Sequence, residues 1–403
     1  MKTLTNSETG LAARFEQKAF EIADVLLESK YQSFSLFSGQ TGEALFLMNL
    51  YRFSGVEKYF DRSFEMLDGL MDHVLSQGGY YTYCNGIAGF GWFLSHIREH
   101  DYVEIDGLED ILVGFDGYLM DFMEKDFKRS NLDFLHGASG LGWYYLKRKH
   151  AAGVDNFLQQ LERLAETEAD GSIKWPFFIS ELEPDHYNFG LAHGIPAQVN
   201  LLARIIKWQP DNERAKMLLE GAMKYLLKNI TEPEPLKSYF AGSIKNGEIT
   251  GYPSRMAWCY GDLGVACSMW LAGEAMSRPE WQDLARKMME HSAPRKERDD
   301  TLLNDGALCH GTVGVATLFQ RFADLTRSPL LKRTAEYWYA TTLDMAHHSE
   351  GLAGYKSHKG QYGWVNDYGF LTGVSGIGLA LLSYLDRDLS DWEEILLLPV
   401  GSN

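Results

Sequence analysis

Cys259, Cys309 and His310 are the residues of this chain whose types best suit a metal, two thiols and one imidazole. They stand in two similar stretches, Ala257-Trp-Cys-Tyr-Gly261 and Ala307-Leu-Cys-His-Gly311. Each places a cysteine two residues before a glycine that opens an apolar run. Zinc accepts sulfur and imidazole donors tetrahedrally, and three protein ligands leave a fourth position open, the arrangement of a catalytic site. Spacing alone is a thin signal, because no CxxC pair is present and fifty residues separate the two cysteines. Two buried cysteines and a helix-capping histidine are the plain alternative.

Other chemistry-bearing residues fall in the same register. His193 directly precedes Gly194 and is a candidate acid/base; at a helix N-terminus its pKa is expected to move toward or below neutrality. Asp133 precedes Gly137 by four residues and could orient His193, although a lone aspartate there is also a common helix cap. His136 lies beside it with a weaker claim. Arg255, four residues ahead of Cys259, could stabilise an enolate, or could simply make a surface salt bridge. Trp258 and Tyr260 flank Cys259 and would shape a pocket or pack the interior. Cys84 shares the cysteine register but reads as a small buried residue, and Cys267 falls inside an apolar run and reads as core.

The elements that must position these groups are repeats. Ser38-Gly-Gln-Thr-Gly42, Asn85-Gly-Ile-Ala-Gly89, His136-Gly-Ala-Ser-Gly140, His193-Gly-Ile-Pro-Ala197, Tyr260-Gly-Asp-Leu-Gly264, His310-Gly-Thr-Val-Gly314 and Thr372-Gly-Val-Ser-Gly376 are seven versions of one start signal. The fourth departs at Ala197. Each opens an apolar helix without a polar face, which predicts burial on all sides. Seven amphipathic segments alternate with them: roughly 10–30, 56–75, 108–127, 155–168, 212–229, 279–292 and 329–347. This pattern predicts an all-α fold, an α/α toroid of seven helical hairpins with an inner barrel and an outer ring, as one domain over 1–403. The paired glycines would let inner helices start close to their neighbours. Every inner helix would begin at the same end, gathering the residues before each first glycine around one opening. Two irregular segments, 230–254 and 350–367, precede inner helices and could overhang it.

Composition narrows the class. With 403 residues, 45% hydrophobic, the chain can bury a large core, and a formal charge of -17 argues against a nucleic-acid surface. Four cysteines in this length do not suggest a disulfide framework, which favours a reducing cytoplasm. The N-terminus lacks an apolar signal region. The long uncharged run between Asp367 and Asp386 matches the other repeats in register, so a buried helix is expected there and no transmembrane segment.

Gly190-Leu-Ala-His-Gly194, Ser254-Arg-Met-Ala-Trp-Cys-Tyr-Gly261 and Leu308-Cys-His-Gly311, spread over seven glycine-marked repeats, resemble the LanC-type lanthionine synthetases, the cyclases of class I lantibiotic biosynthesis. The resemblance covers the whole chain. It implies one zinc ion held by Cys259, Cys309 and His310, with the positions of His193, Asp133 and Arg255 needed for cyclisation. The implied reaction adds a peptide cysteine thiol to dehydroalanine or dehydrobutyrine in a dehydrated precursor peptide. It also implies partners: a separate dehydratase and an export transporter, with action in the cytoplasm or peripheral to the membrane within a biosynthetic complex. Ala197 is a mild departure, since Pro196 suits a helix start. The resemblance assigns no role to His136.

Three rivals share some of these features. A LanC-like enzyme joining glutathione or another free thiol to dehydroamino acids would use the same ligands. A protein prenyltransferase β-subunit would want an aspartate ligand and lacks the Trp-Cys-Tyr-Gly signature. A non-catalytic peptide-binding toroid would have no need of intact Cys259, Cys309, His310 and His193.

Overall fold

In the computed structural model, residues 6–177, 185–250 and 254–399 are described. They group into two compact units, one formed by the chain up to Gly79 with Leu303–Leu396, the other by Tyr80–Leu302 with the residues after Leu396. In the first unit the chain begins with α1 (Asn6–Leu27), α2 (Gln40–Ser54) and α3 (Glu57–Gln77). The second unit runs through α4 (Ile87–Glu99), α5 (Leu108–Lys128), α6 (Ala138–Lys147), α7 (Ala151–Arg163), α8 (Ile195–Trp208) and α9 (Glu213–Lys228). It continues with the single turn α10 (Pro233–Leu236), α11 (Asp262–Ala275), α12 (Pro279–Ser292) and the short α13 (Arg298–Thr301). The chain then returns to the first unit for α14 (Thr312–Thr326), α15 (Pro329–Asp344) and α16 (Val374–Leu385).

All seven glycine-marked helices are present: α2, α4, α6, α8, α11, α14 and α16. They are buried nearly all round; every residue from Val374 to Ser383 in α16 is inaccessible, although that run is uncharged enough to invite a membrane reading. No helix among the described residues is long and apolar enough to cross a membrane. The seven amphipathic helices are α1, α3, α5, α7, α9, α12 and α15. Two segments shift: the one expected over 10–30 is helical over Asn6–Leu27, and the one expected over 155–168 over Ala151–Arg163, because His150 accepts the Gly153 N–H and starts that helix early.

Short strands that were not anticipated lie in the two irregular segments and in the stretch 166–188. In the second unit β1 (Glu166–Thr167) pairs with β2 (Ile173–Lys174), and β3 (His186–Asn188), β4 (Ser243–Lys245) and β5 (Glu248–Thr250) form an antiparallel sheet in that order. In the first unit β6 (Ser357–His358) pairs with β7 (Trp364–Val365). Residues 251–253 of the 230–254 segment lie outside the described residues.

The loop before each glycine-marked helix is built to one plan. None of the seven helices has a side-chain cap at its first glycine. An orphan helix N–H must find another acceptor. In five loops it is the carbonyl six residues before the glycine: Ile87 donates to Tyr80 at 2.7 Å, Ala138 to Asn131 at 2.9 Å and Thr312 to Asp305 at 2.9 Å. Gln40 with Ser33 and Val374 with Asp367 repeat the pattern at 2.9 and 3.0 Å. The loop therefore curls onto the helix start, leaving no room for a side chain. At the second glycine a Cβ on Gly264 would stand 2.5 Å from the Trp258 carbonyl oxygen and 2.9 Å from Leu191 Cβ of the preceding repeat. Close approach to a neighbour, as expected, is thus joined by close approach to the helix's own loop.

Backbone hydrogen bonds tie neighbouring loops together at one level. The residue two before the first glycine donates to its counterpart in an adjoining repeat: Cys84 to Leu135 at 2.8 Å and Ala192 to Cys259 at 3.3 Å in the second unit. In the first unit Cys309 donates to Leu371, and Leu371 to Phe37, both at 2.9 Å. This rung fixes which side chains of adjoining repeats can meet, and it is the level at which the reactive residue types occur.

Candidate active site

Asp133 and His193, sixty residues apart, meet across the α6 and α8 loops: Asp133 Oδ2 lies 2.6 Å from His193 Nδ1. Asp133 Oδ1 accepts the backbone N–H groups of Leu135 and His136, both at 2.8 Å. The aspartate therefore caps its own loop with one oxygen and grips an imidazole with the other. The helix cap itself is Gly137. With Nδ1 committed to Asp133, Nε2 is the ring nitrogen left for proton transfer.

The electrostatics correct one expectation. Burial pulls the His193 pKa down, but the hydrogen bond and charge of Asp133, with a smaller contribution from Cys259, outweigh it, and the net direction is upward. The helix N-terminus alone suggested the opposite. For His136 burial dominates, and its pKa is lowered despite Asp133.

Both imidazoles open onto a cavity of about 660 Å³ within the second unit, lined also by Tyr80, Tyr81, Arg129, Phe177 and Tyr260. The Tyr260 ring lies 5.7 Å from that of His193, and its hydroxyl accepts a 3.0 Å hydrogen bond from Asn188 Nδ2. Asn188 Oδ1 in turn accepts the Gly190 N–H at 2.7 Å, bracing the His193 loop. Asn188 escaped notice in the sequence, yet it has a signal: an Asn or Asp six residues before the first glycine recurs at Asn131, Asn188, Asp305 and Asp367. Each accepts the N–H two residues on, an Asx turn that starts the loop.

The other expected residues are placed as follows. Cys259 is buried in the α11 loop of the second unit, its carbonyl bonded to Ala192 beside His193. The glycine after Tyr260, Gly261, is the only one of the seven first glycines with a left-handed backbone, φ 94°, which a side chain would strain. In the first unit Cys309 is buried and His310 half-buried at the start of α14. Trp258 is fully buried and is core, not a cavity wall. Arg255 donates from Nη2 to the Leu302 carbonyl at 3.1 Å, and its buried Nε has no hydrogen-bond partner among the described residues. It does not line the cavity. Cys84 is a buried thiol whose pKa burial and Asp133 push up to about 12. Cys267 is fully buried inside α11.

A family model described as lanthionine synthetase C-like protein matches residues 30–397. The chain belongs to that family. Among curated proteins, this lanthionine synthetase C-like chain is 24% identical over 363 residues to the nisin biosynthesis protein NisC of Lactococcus lactis subsp. lactis, covering 82% of each chain. Among solved structures it is similar to nisin cyclase, with a TM-score of 0.75 and 18% identity over 94% of this chain and 96% of that one. The likeness shows the fold, an all-α α/α toroid. The donor set also fits the zinc that the family implies: two thiols shielded from water, at equivalent positions before glycine-marked helices, and one imidazole next to the second of them.

Proposed function

We propose that this protein is a zinc-dependent lanthionine synthetase that adds cysteine thiols to dehydroalanine or dehydrobutyrine within a ribosomally made precursor peptide, closing thioether rings. The observation that carries the reading is the Asp133–His193 pair on the cavity wall, with the Cys259 loop bonded to the His193 loop through Ala192. We read residues 1–403 as one domain, because the repeat register continues from one unit into the other. Closure of the seven repeats into a ring would bring Cys259 to Cys309 and His310, the three ligands for one zinc ion.

Bound there, zinc would supply a thiolate at neutral pH by lowering the pKa of the incoming cysteine. The remaining work falls to the chain. As sulfur bonds to the β-carbon, the alkene pair moves to the α-carbon and its carbonyl, giving an enolate. His193, held by Asp133 with Nε2 toward the cavity, delivers the proton to the α-carbon. Its raised pKa suits that acid role. Arg255, whose Nη2 is bonded to the Leu302 carbonyl away from the cavity lining, would have to turn toward the substrate to offer a positive charge for the enolate oxygen. Tyr260 packs on the imidazole and limits its rotation. A separate dehydratase must make the alkene, and an export transporter would receive the product; the reading places the enzyme in the cytoplasm, peripheral to the membrane within such a complex.

The test is incubation of the zinc-loaded protein with a dehydrated, cysteine-containing peptide, counting thiols that no longer alkylate. Loss of thiols at unchanged peptide mass supports ring closure. Peptide thiols that all still alkylate, whether or not added glutathione joins the peptide and raises its mass, would refute it.

A further inference from the structure

Tyr80 stands on the lip of the cavity with 70% of its surface exposed. A single exposed aromatic is ordinary, but a contiguous run of them marks a surface that something covers. Its ring stacks on Tyr81 at 5.8 Å and 17°, Tyr81 stacks on Phe122 at 4.4 Å and 15°, and Phe122 packs on Tyr118 at 4.9 Å. The result is a continuous aromatic strip from the cavity lip out along α5, ending on Tyr118, which is 38% exposed.

The strip acquires charge along its length. Tyr118, Phe122 and Lys125 are spaced i, i+4 and i+7 and so share one face of α5, and Arg129 follows as its C-cap. Lys125 Nζ sits 4.3 Å from the centroid of the Phe122 ring. Arg129 reaches Asp126 and also lines the cavity. Asp121 and Lys128 share the adjoining row, and Glu124 lies further round. An aromatic strip edged by Lys125, and by Arg129 with its charge met by Asp126, leads to the proposed dyad.

We infer that this strip is the track on which the substrate peptide lies outside the ring being closed, binding an extended segment that carries apolar or aromatic side chains and a carboxylate. The inference rests on the lanthionine synthetase reading. One thing argues for a peptide in place of a second copy of this chain: the strip is continuous with the cavity where a peptide must react. Aromatic faces take varied side chains without fixed geometry, which suits an enzyme that must accept several positions of one peptide in turn.

The experiment compares two substrates on the zinc-loaded, full-length enzyme: a full-length dehydrated precursor, and a short peptide holding only one dehydroalanine and one cysteine. Variants are Tyr118→Ala and Lys125→Glu, with Tyr118→Phe as the conservative control. Binding of the fluorescently labelled long peptide is read by anisotropy, and KM and kcat for both peptides by thiol alkylation. Tyr118→Ala and Lys125→Glu are expected to raise Kd and KM for the long peptide about tenfold, with kcat retained and the short peptide unaffected. Tyr118→Phe should bind as wild type. Equal effects on both peptides, or no effect on the long one, would overturn the track. If the wild-type enzyme closes no ring in either peptide, the functional reading fails, while anisotropy still decides whether the strip holds the peptide.

Discussion

Asp133 Oδ2 and His193 Nδ1 are 2.6 Å apart, and the other oxygen of Asp133 is held by two backbone N–H groups at 2.8 Å. A carboxylate locked in this way can only accept, so the imidazole must donate from Nδ1. The tautomer and the orientation of the proposed acid follow from loop geometry.

Asp133→Asn should therefore impair ring closure without emptying the metal site. An amide cannot enforce the same tautomer, and it removes the charge that raises the His193 pKa. Ring closure should fall about 10²- to 10⁴-fold, as for loss of a positioned proton donor. Zinc content should stay at the wild-type level, and the alkaline limb of the pH–rate profile should move to lower pH. His193→Ala should match it in rate and in zinc content. A normal rate in either variant would remove the dyad from the mechanism.

Cys309→Ala separates the metal from the dyad. Elemental analysis should show zinc lost together with activity, since two donors hold zinc far more weakly than three. Chelation of wild-type protein should reproduce the effect, and added zinc should restore it. Retention of full zinc in the variant would refute the ligand assignment.

Two carboxyls predict how stability depends on pH. Burial pushes Glu43, on α2, and Asp262, at the start of α11, each up to about 7. Glu43 has one oxygen bonded to Ser29 at 2.6 Å and the other buried with no hydrogen-bond partner among the described residues. The folded state binds these protons more tightly than the unfolded chain does. Their stabilisation is complete below about pH 4, where both states are protonated, and is lost as pH rises through about 7. Denaturant midpoints should fall between pH 5 and 8. Glu43→Gln should flatten that fall, gaining up to about 3 kcal/mol at pH 8 and little at pH 5. An unchanged slope would show that Glu43 is ionised in the fold at pH 5.

The seven glycine-marked helices and their alternation with amphipathic ones were legible because burial and 3.6-residue periodicity are properties of short sequence windows. The placing of Cys259 and Cys309 two residues, and of His193 one residue, before the first glycine of a buried helix was legible for the same reason. What the windows did not show depends on distant partners. The direction of the His193 shift is decided by Asp133, sixty residues away. The pairing of β3 with β4 joins two three-residue segments more than fifty residues apart, too short to carry a period of their own. The Asx turns at Asn131, Asn188, Asp305 and Asp367 were local and readable, but they sit outside the glycine motif that drew attention.

Glycines at two positions should respond to alanine with opposite signs, and the contrast tests the loop plan directly. A Cβ on Gly314 would run into the carbonyl oxygen of Leu308, which begins the turn carrying Cys309. Backbone cannot rotate away as a side chain can, so Gly314→Ala must shift that turn, at a cost of about 1–3 kcal/mol. A Cβ on Gly69, in the exposed face of α3, would meet nothing within 4 Å. Gly69→Ala should stabilise by about 0.5–1 kcal/mol, because alanine loses less backbone entropy in a helix. Chemical denaturation of the two variants measures both. Equal and small effects would mean that the loop does not press on the helix start, and the packing that sets the level of Cys309 would need another cause.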